Sequence, residues 1–255
     1  MVVLKIGGNV INNPATLHEA LDYFAGLIEP AVLVHGGGRR ASQVITAMGH
    51  EPVLIDGRRV TDRATLEVVT MVYAGLLNTD IVAQLQARGC NAIGLSGADG
   101  NAVQATKRPV GTIDYGFAGD VTAVNAALLD ALLRLGMQPV LCPITHDHHG
   151  QLLNTNADTI ATETAAALAQ QGHSVRLQYC FELPGVLKDI HDPSSVIPRL
   201  TPEQYAALRE EGTIAGGMLP KLDNAFRAVY AGAKEVVIGG LAELRQGGGT
   251  RCVQG

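Results

Sequence analysis

The chain has 255 residues, of which 47% are hydrophobic and 17% are charged, and its formal net charge at pH 7 is −5. This length supplies a full hydrophobic core, as one large domain or as two closely joined lobes. An acidic chain with no basic run and no Trp argues against nucleic acid as a partner. No apolar run approaches the roughly 20 residues of a membrane span, and no signal peptide is visible, so we expect no membrane partner. The four cysteines are far apart in sequence, which is typical of reduced thiols in a cytoplasmic protein.

The N-terminal part of the chain alternates between strand and helix patterns. Short apolar runs rich in β-branched residues predict buried strands at Val2–Ile6, 31–34 and 91–95. Helices are predicted at 14–28, at 38–48, and from a cap at Thr61 or Asp62 to residue 88. The first of these helices has an apolar face formed by Leu17, Leu21, Phe24 and Ile28. This βαβαβ rhythm predicts parallel strands with helices on both faces of the sheet.

The pattern changes after the third strand. Residues 100–122 lack helical periodicity and predict short antiparallel strands or a hairpin lid. Further helices are predicted at 125–135, 159–170, 201–211 and 217–232. Further strands are predicted at 137–142, 174–180 and 235–238. The chain divides most naturally near residue 174, with one sheet shared by both parts.

Two glycine-rich turns follow the first two strands. Gly7-Gly8 comes directly after Val2–Ile6, and Gly36-Gly37-Gly38 comes after the second strand. Glycine lets the backbone approach a ligand closely, and the helix that follows adds free N–H groups that favour an anion. Lys5 brings a cation to the first turn. The turns predict a phosphate site, although a lysine that reaches solvent and a plain strand-to-helix turn are the structural alternatives.

Common nucleotide and hydrolase motifs are missing from the sequence. There is no Gly-x-x-x-x-Gly-Lys-Ser/Thr P-loop, no Gly-x-Gly-x-x-Gly after the first strand, and no Gly-x-Ser-x-Gly elbow. The sequence therefore predicts an anion cradle that is assembled from separate pieces of the chain.

The segment 154–158 supplies polar side chains at a predicted helix start. Capping needs one residue of the Asn or Asp type, whereas Asn154, Asn156 and Asp158 offer three. Asp158 could hold the ammonium groups of phosphate-binding lysines, and the two asparagines could bond a polar substrate.

A third glycine turn, Gly216-Gly217, leads into a helix that carries Lys221 in its first turn. A cation there opposes the helix dipole, which an intervening anion would relieve, with an exposed surface lysine as the alternative. Arg59 offers a planar guanidinium fork that can bind a carboxylate or a phosphate. The sequence is equally consistent with Arg58 and Arg59 being a solvated pair on the surface. The residues 146–149 (His-Asp-His-His) are interpreted as a polar turn, so no metal site made by protein ligands is predicted.

Taken in order, these motifs resemble the amino acid kinase family, and most closely its members that phosphorylate N-acylated glutamate. The resemblance covers essentially the whole chain. It rests on Lys5-Ile6-Gly7-Gly8, Val34-His35-Gly36-Gly37-Gly38, Gly57-Arg58-Arg59-Val60-Thr61, Asn154-Thr155-Asn156-Ala157-Asp158 and Gly217-Met218-Leu219-Pro220-Lys221. The family implies an α/β fold, a three-layer αβα sandwich with a mainly parallel central sheet. Residues 1–255 would form one domain, with a lobe at 1–173 for the acyl-amino acid and dimerisation and a lobe at 174–255 for ATP.

The resemblance also implies roles for individual residues. The catalytic group would be Lys5, Lys221 and Asp158. The substrate would be bound by Gly36, Gly37, Arg59, Asn154 and Asn156. The nucleotide would be bound by Gly7, Gly8, Glu182 and Gly217. Glu182 stands where the family has a shorter acidic residue, which puts its role in doubt.

The implied reaction is attack of the γ-carboxylate of an N-acyl-L-glutamate on the γ-phosphate of ATP, with Mg²⁺. The ionised carboxylate needs no general base, and the acylated amine prevents cyclisation, which indicates arginine or ornithine synthesis. The acyl group stays open between acetyl and succinyl, where Lys107 or Arg108 could meet a second carboxylate. A non-catalytic amino-acid or nucleotide sensor is the alternative from another class. Arginine-inhibited hexameric members of the family have a helix before the first strand, which this sequence lacks, so the resemblance suggests an arginine-insensitive homodimer. The cysteine pattern suggests the cytoplasm.

Overall fold

A computed structural model describes residues 1–55, 57–214 and 218–255 of the chain. Its strands are β1 (Val2–Ile6), β2 (Ala31–His35), β3 (Leu54–Ile55), β4 (Arg58–Arg59), β5 (Ala92–Leu95), β6 (Val103–Lys107), β7 (Ala118–Val124), β8 (Gln138–Leu141), β9 (Ile144–His146), β10 (Leu152–Thr155), β11 (Arg176–Cys180), β12 (Arg199–Leu200), β13 (Glu235–Gly239) and β14 (Thr250–Cys252).

The α-helices are α1 (Gly8–Asn12), α2 (Pro14–Ala25), α3 (Gly38–Ala47), α4 (Arg63–Thr70), α5 (Asn78–Gln86), α6 (Ala126–Arg134), α7 (Ala157–Gln170), α8 (Pro202–Glu210), α9 (Met218–Tyr230) and α10 (Leu241–Arg245). A π-helical segment, Met71–Leu77, joins α4 to α5 in one continuous helix. A short 3₁₀ turn lies at Asp99–Asn101.

Eight of the described strands form the central sheet, in the order β12-β14-β13-β11-β1-β2-β8-β5. The six strands from β13 to β5 in this order all run parallel to one another, whereas β14 runs antiparallel to β13. The chain winds outward from β1 through β2 on one side, and from β11 through β13 on the other. Ligands bind in open α/β sheets outside the carboxyl ends of the strands where the winding reverses. That point here is the junction of β1 with β11, directly before Gly7.

Helices cover both faces of this sheet, which confirms the predicted three-layer αβα sandwich. Val2, Leu4 and Ile6 alternate along β1 onto the face that packs against α2, α5 and α10. Val3 faces the opposite layer, which is built from α6, α7 and α9. Because side chains alternate along a strand, Lys5 lies on the same face as Val3 and points towards α7 and α9.

A smaller group of strands lies beside the sheet. β6 and β7 pair antiparallel, as predicted for residues 100–122, and β9 and β10 complete a closed ring with them. β10 ends directly before α7, so it carries the polar segment 154–158 to the carboxyl edge of the sheet. β3 and β4 form a separate hairpin that carries Arg59.

Some predicted boundaries were wrong. α2 ends at Ala25 rather than at residue 28, and Ile28 is fully exposed, not part of the packed face. The N–H of Gly26 closes the last turn on Asp22 and Phe24, and Pro30 follows soon after. α7 begins at Ala157, two residues earlier than predicted, because Asn156 caps it. Of the two predicted caps of α4, Asp62 is the one that accepts from the N–H of Thr65.

The continuous helix Arg63–Gln86 differs from the expectation that no segment is apolar enough to span a membrane. It passes that test by length and composition, with a mean hydropathy of 1.4 and 39% of its apolar window buried. We interpret it as a core helix, since core helices of globular proteins pass the same test. Its Leu66, Val69 and Val72 side chains are buried in one cluster with α3.

Candidate active site

A cavity of about 640 Å³ opens at the carboxyl edge of the sheet. One wall consists of the second glycine turn, Arg59 and Tyr73, and another is the start of α7. The cavity reaches the sequence neighbours of two predicted catalytic residues. Ala157 and Thr159 flank Asp158, and Pro220 precedes Lys221. The second glycine turn, Arg59 and the starts of α7 and α9 therefore converge on one cleft.

Lys5, Asp158 and Lys221 form one buried ionic group beside this cleft. Lys5 Nζ lies 2.6 Å from Asp158 Oδ1, and Lys221 Nζ lies 3.2 Å from Asp158 Oδ2. The exposed fractions of the three side chains are 9%, 15% and 24%, respectively. Two ammonium groups and one carboxylate leave an excess of one positive charge in a poorly hydrated place. A further anion would complete this group.

The protonation states follow from this geometry. Burial by itself would raise the pKa of Asp158, but the two neighbouring lysines outweigh it and hold that pKa at about 2. Burial lowers the pKa of Lys5, and the charge of Lys221 lowers it further, while Asp158 opposes both. An anion placed between the lysines would raise the pKa of Lys5 again, since opposite charge favours the charged form.

Local structure explains where Asp158 sits. The side chain of Asn156 caps α7 by accepting from the N–H of Asp158, with an N–O distance of 2.7 Å. Asp158 thus occupies the first turn of α7, where the helix dipole favours a negative charge. Lys221 occupies the first turn of α9, as predicted. The preceding Gly217 lies outside the described residues, so its nucleotide role stays a prediction.

The two N-terminal glycine turns meet each other. The N–H of Gly7 donates to the carbonyl of Cys180, and the N–H of Gly36 donates to that of Ile6. A Cβ built on Gly36 would lie 3.7 Å from the backbone N of Gly8. A Cβ on Gly8 would meet nothing within 4 Å, so this turn faces open space. The turns therefore border one opening.

Gly37 is enclosed by the long helix. A Cβ at Gly37 would lie 2.4 Å from Cδ1 of Leu77 and 3.0 Å from Cδ1 of Tyr73. Both side chains come from the π-helical segment, a type of irregularity that recurs at functional sites. A side chain at Gly37 would have to displace Leu77 and Tyr73, and the backbone φ of +159° also favours glycine, neither of which the sequence alone indicated.

Arg59 has an unused donor in the cavity wall. Its Nη2 donates to the carbonyl of Gly38 and to Oγ of Ser42, each at 2.8 Å. Its Nη1 is buried and has no hydrogen-bond partner among the described residues. A buried guanidinium with a free N–H is costly unless an acceptor occupies the cavity. A carboxylate is the acceptor that fits such a fork.

The two predicted asparagines differ in their surroundings. Asn154 lines the cavity, and its Nδ2 donates to Oγ1 of Thr61 at 2.9 Å. Asn156 also lines the cavity, although its Oδ1 is engaged in capping α7. Substrate binding by either residue stays a prediction.

Glu182 does not line this cavity. It borders a second cavity of about 590 Å³ beside α1 and α10, together with Glu243 and Asn12. Phe181 and Gly240 also line that cavity. The nucleotide role of Glu182 therefore stays a prediction.

Arg108 is the member of the Lys107–Arg108 pair that lines the main cavity. Its guanidinium pairs with Asp120, with Nε 3.1 Å from Oδ1, so its charge is already matched. Lys107 instead places Nζ 5.0 Å from the centre of the Phe117 ring. Sequence reasoning missed Asp120, because its partner lies on the neighbouring strand of a hairpin of unknown register.

His35 braces the second glycine turn. It is fully buried, with Nδ1 2.8 Å from the carbonyl oxygen of Gly36 and Nε2 3.1 Å from Nδ2 of Asn78. Burial lowers its pKa to about 4, so it is neutral at physiological pH. Within the described ranges, no group of three or more His, Cys, Asp or Glu residues is arranged to hold a metal ion.

The chain is similar to known proteins both in its sequence and in its structure. Residues 1–240 match the model of the amino acid kinase family. An acetylglutamate kinase of Phocaeicola vulgatus is 51% identical over 250 residues, covering 98% of this chain and 97% of the relative. An acetylglutamate kinase of Methanopyrus kandleri is 44% identical over 254 residues, covering 98% of this chain and 99% of the relative. The crystal structure of smu.665 from Streptococcus mutans superposes with a TM-score of 0.82 at 26% identity. The match covers 99% of this chain and 98% of the other.

Proposed function

The chain belongs to the amino acid kinase family, and on that premise we propose that it transfers the γ-phosphoryl group of ATP to the side-chain carboxylate of N-acetyl-L-glutamate. The products would be N-acetyl-L-glutamyl 5-phosphate and ADP, in the second step of arginine or ornithine synthesis. Support for the acceptor comes from relatives named acetylglutamate kinase at about half identity over nearly the full chain.

The observation that carries the proposal is the buried excess of positive charge at Lys5, Asp158 and Lys221. In the reaction, an anionic carboxylate must approach an anionic phosphate, so the barrier is largely electrostatic. Lys5 and Lys221 would flank the transferred phosphoryl group, and Asp158 would keep both ammonium groups in place. Cations fixed in a poorly hydrated site act far more strongly than cations in water.

The glycine turns would supply backbone donors around the same point. Gly8 faces open space and would donate to the nucleotide phosphates, with Gly7 allowing the close approach. Gly36 and Gly37 would border the side-chain carboxylate of the substrate. Such oriented N–H groups position the reactants and lose nothing to reorganisation during the reaction.

The free Nη1 of Arg59 would bind the α-carboxylate of the substrate, with Asn154 beside it in the cavity wall. A carboxylate nucleophile is ionised near pH 7, so the chain needs no general base. Mg²⁺ would accompany ATP and neutralise charge on its phosphates. Asp158 is a poor ligand for this ion, since each of its oxygens already faces a lysine.

The oligomeric state belongs to the same proposal. We expect a cytoplasmic homodimer formed through residues 1–173, with residues 174–255 as the ATP-binding lobe. Met71 and Leu76 on the long helix are about half exposed and give the part of the chain at 1–173 an apolar surface. Light scattering during size-exclusion chromatography checks the state directly.

An N-succinyl acceptor is the second candidate, favoured by the position of Arg108 in the cavity wall. Its pairing with Asp120 weakens that candidate, because a second carboxylate would have to compete for the guanidinium. A sensor without catalysis is disfavoured, because binding alone does not need two lysines held around one aspartate.

The test is formation of acyl phosphate from ATP, trapped with hydroxylamine, with N-acetyl-L-glutamate and N-succinyl-L-glutamate side by side. We expect turnover of the acetyl compound. Preferential turnover of the succinyl compound would change the assigned acyl group, and no turnover with either from folded protein with Mg²⁺ would contradict the proposed function.

A further inference from the structure

A pair of buried hydroxyl groups lies directly beneath the ionic group. Oη of Tyr179 and Oγ1 of Thr162 are 2.6 Å apart, and both side chains are almost completely buried. Tyr179 belongs to a hydrophobic cluster formed by the sheet, α7 and α9, and Thr162 lies on the buried side of α7. Burying two hydroxyls there is costly unless both are hydrogen-bonded.

The pair is tied to the backbone of Asp158. Oγ1 of Thr162 lies 2.9 Å from the carbonyl oxygen of Asp158, one turn earlier in α7. Tyr179 Oη lies 3.3 Å from the same carbonyl. Two proton arrangements use both hydroxyls. Either Tyr179 donates to Thr162 and Thr162 donates to the carbonyl of Asp158, or Thr162 donates to Tyr179 and Tyr179 donates to that carbonyl. The residue whose carboxylate holds both lysines is therefore also held through its backbone.

The pair also connects the three elements that carry the ionic group. Tyr179 on β11 is the register partner of Lys5 on β1, so the two side chains leave the sheet side by side. Thr162 lies on α7 with Asp158. Its Oγ1 is also 3.4 Å from the carbonyl of Asn224 on α9, one turn beyond Lys221.

Apolar packing alone would fix these elements less tightly. Four of the eight buried residues of α7 are alanine, including Ala161 and Ala165, and these small side chains present shallow ridges to the neighbouring elements. Yet each carboxylate oxygen of Asp158 must meet a different ammonium group. Hydrogen bonds are directional, so a buried hydroxyl pair can fix the rotation of α7 where small side chains do not.

We infer that Tyr179 and Thr162 act as positioning residues for phosphoryl transfer, holding Asp158 so that its carboxylate meets Lys5 and Lys221 together. This rests on the proposed kinase function. The hydroxyls touch no reactant in this account. Their loss lowers the rate of the chemical step and leaves the binding of ATP and of the acyl-glutamate nearly unchanged.

The chain offers matched control positions. Thr164 lies on the same helix, is fully buried, and its hydroxyl has no hydrogen-bond partner in the described part of the chain. Tyr23 donates to Oε1 of Gln178 at 3.0 Å on the other face of the sheet. Thr164→Val and Tyr23→Phe make the same chemical changes away from Asp158.

The experiment measures kcat and both KM values for Thr162→Val, Thr162→Ser, Tyr179→Phe, the double variant and the two controls. Thr162→Val should lower kcat at least tenfold with each KM within about twofold, since small misplacements of catalytic groups are costly. Tyr179→Phe should lower kcat about fivefold. Thr162→Ser keeps the hydroxyl and should restore kcat to within about threefold of wild type. The controls should stay within about twofold.

The double variant tests whether the two hydroxyls act as one unit. Its loss in kcat should be smaller than the product of the two single losses, because both hydroxyls act on the same carbonyl of Asp158. Wild-type kcat in Thr162→Val, equal losses in Thr162→Val and Thr164→Val, or losses expressed in KM would overturn the inference. If Thr162→Val does not fold, Tyr179→Phe and Thr162→Ser decide it by the same criteria. A wild-type protein without kinase turnover would instead refute the proposed function.

Discussion

The ammonium nitrogen of Lys5, on the central strand, lies 2.6 Å from a carboxylate oxygen of Asp158, in the first turn of α7. The other oxygen of the same carboxylate faces Lys221 on α9. A single side chain therefore joins the strand and two helices at the carboxyl edge of the sheet. Because one negative charge faces two positive ones, the group keeps an excess positive charge that attracts an anion.

The first prediction concerns stability of the ionic group. Asp158→Asn should lower the free energy of unfolding at pH 7 by about 3 kcal/mol, because removing one partner leaves buried charges uncompensated. Urea unfolding measures this, with Glu210→Gln at the exposed end of α8 as a control that should change little.

The same variant has a pH signature. The folded pKa of Asp158 is depressed, so its stabilisation is present above the unfolded pKa and is lost as pH falls towards about 2. The difference in unfolding free energy between wild type and Asp158→Asn should narrow as the pH falls below about 5. A difference that widens on acidification would contradict the assigned charge state.

The second prediction concerns Arg59. Arg59→Lys keeps a positive charge but loses the planar fork, so KM for the acyl-glutamate should rise at least tenfold while KM for ATP stays within about twofold. Steady-state kinetics with each substrate varied in turn measures this. Arg40→Lys, on the exposed side of α3, is the control. A rise confined to the KM for ATP would reassign Arg59 to the nucleotide.

The third prediction concerns the open space beside Gly8, and it tests whether a ligand occupies that space. Gly8→Ala should fold normally, because the new methyl group meets nothing within 4 Å, but KM for ATP should rise about tenfold or more if phosphates occupy that space. Thermal unfolding and kinetics are measured together. Gly111→Ala also gains a methyl group in open space and should change neither property. An unchanged KM for ATP in Gly8→Ala would show that the phosphates of ATP do not bind at this turn.

The fourth prediction concerns His35. Its folded pKa of about 4 lies below the unfolded value near 6.5, so the unfolded chain binds more protons between these pH values. The stabilisation is complete above the unfolded pKa and is lost as pH falls towards about 4. Between pH 7 and pH 5, His35 should account for about 2 kcal/mol of lost stability.

His35→Gln cannot be protonated in this range, so that loss should be smaller in the variant by this amount. Urea unfolding at both pH values measures it. His50→Gln, at an exposed position, should behave as wild type does. Equal pH dependence in wild type and His35→Gln would mean that His35 is not held neutral.

Much of the fold could be predicted from the sequence because its signals are local. Strand β1, the glycine turns and the Asn156 cap are each visible within a few residues of the chain. Lys5 was identifiable because a cation stands inside an apolar strand before two glycines. The resemblance then gave the order in which these pieces belong to one site.

The features that sequence reasoning missed depend on pairings across long separations. The register that places Tyr179 beside Lys5, and the approach of Thr162 to both, follow from sheet order and helix packing. The π-helical segment that encloses Gly37 has no known local pattern here. Ile28 fitted the helical periodicity of α2, but the chain had already turned at Gly26.

The most direct test of the central claim is the rate of acyl phosphate formation by Lys221→Ala, measured together with the dissociation constant for ATP. The account predicts a kcat lower by about a hundredfold or more, because a preorganised charge on the transferred group is lost, in a protein that still folds. Lys234→Ala, an exposed lysine after α9, should keep wild-type turnover. Wild-type kcat in Lys221→Ala would contradict the claim that the buried lysines act on the transferred phosphoryl group.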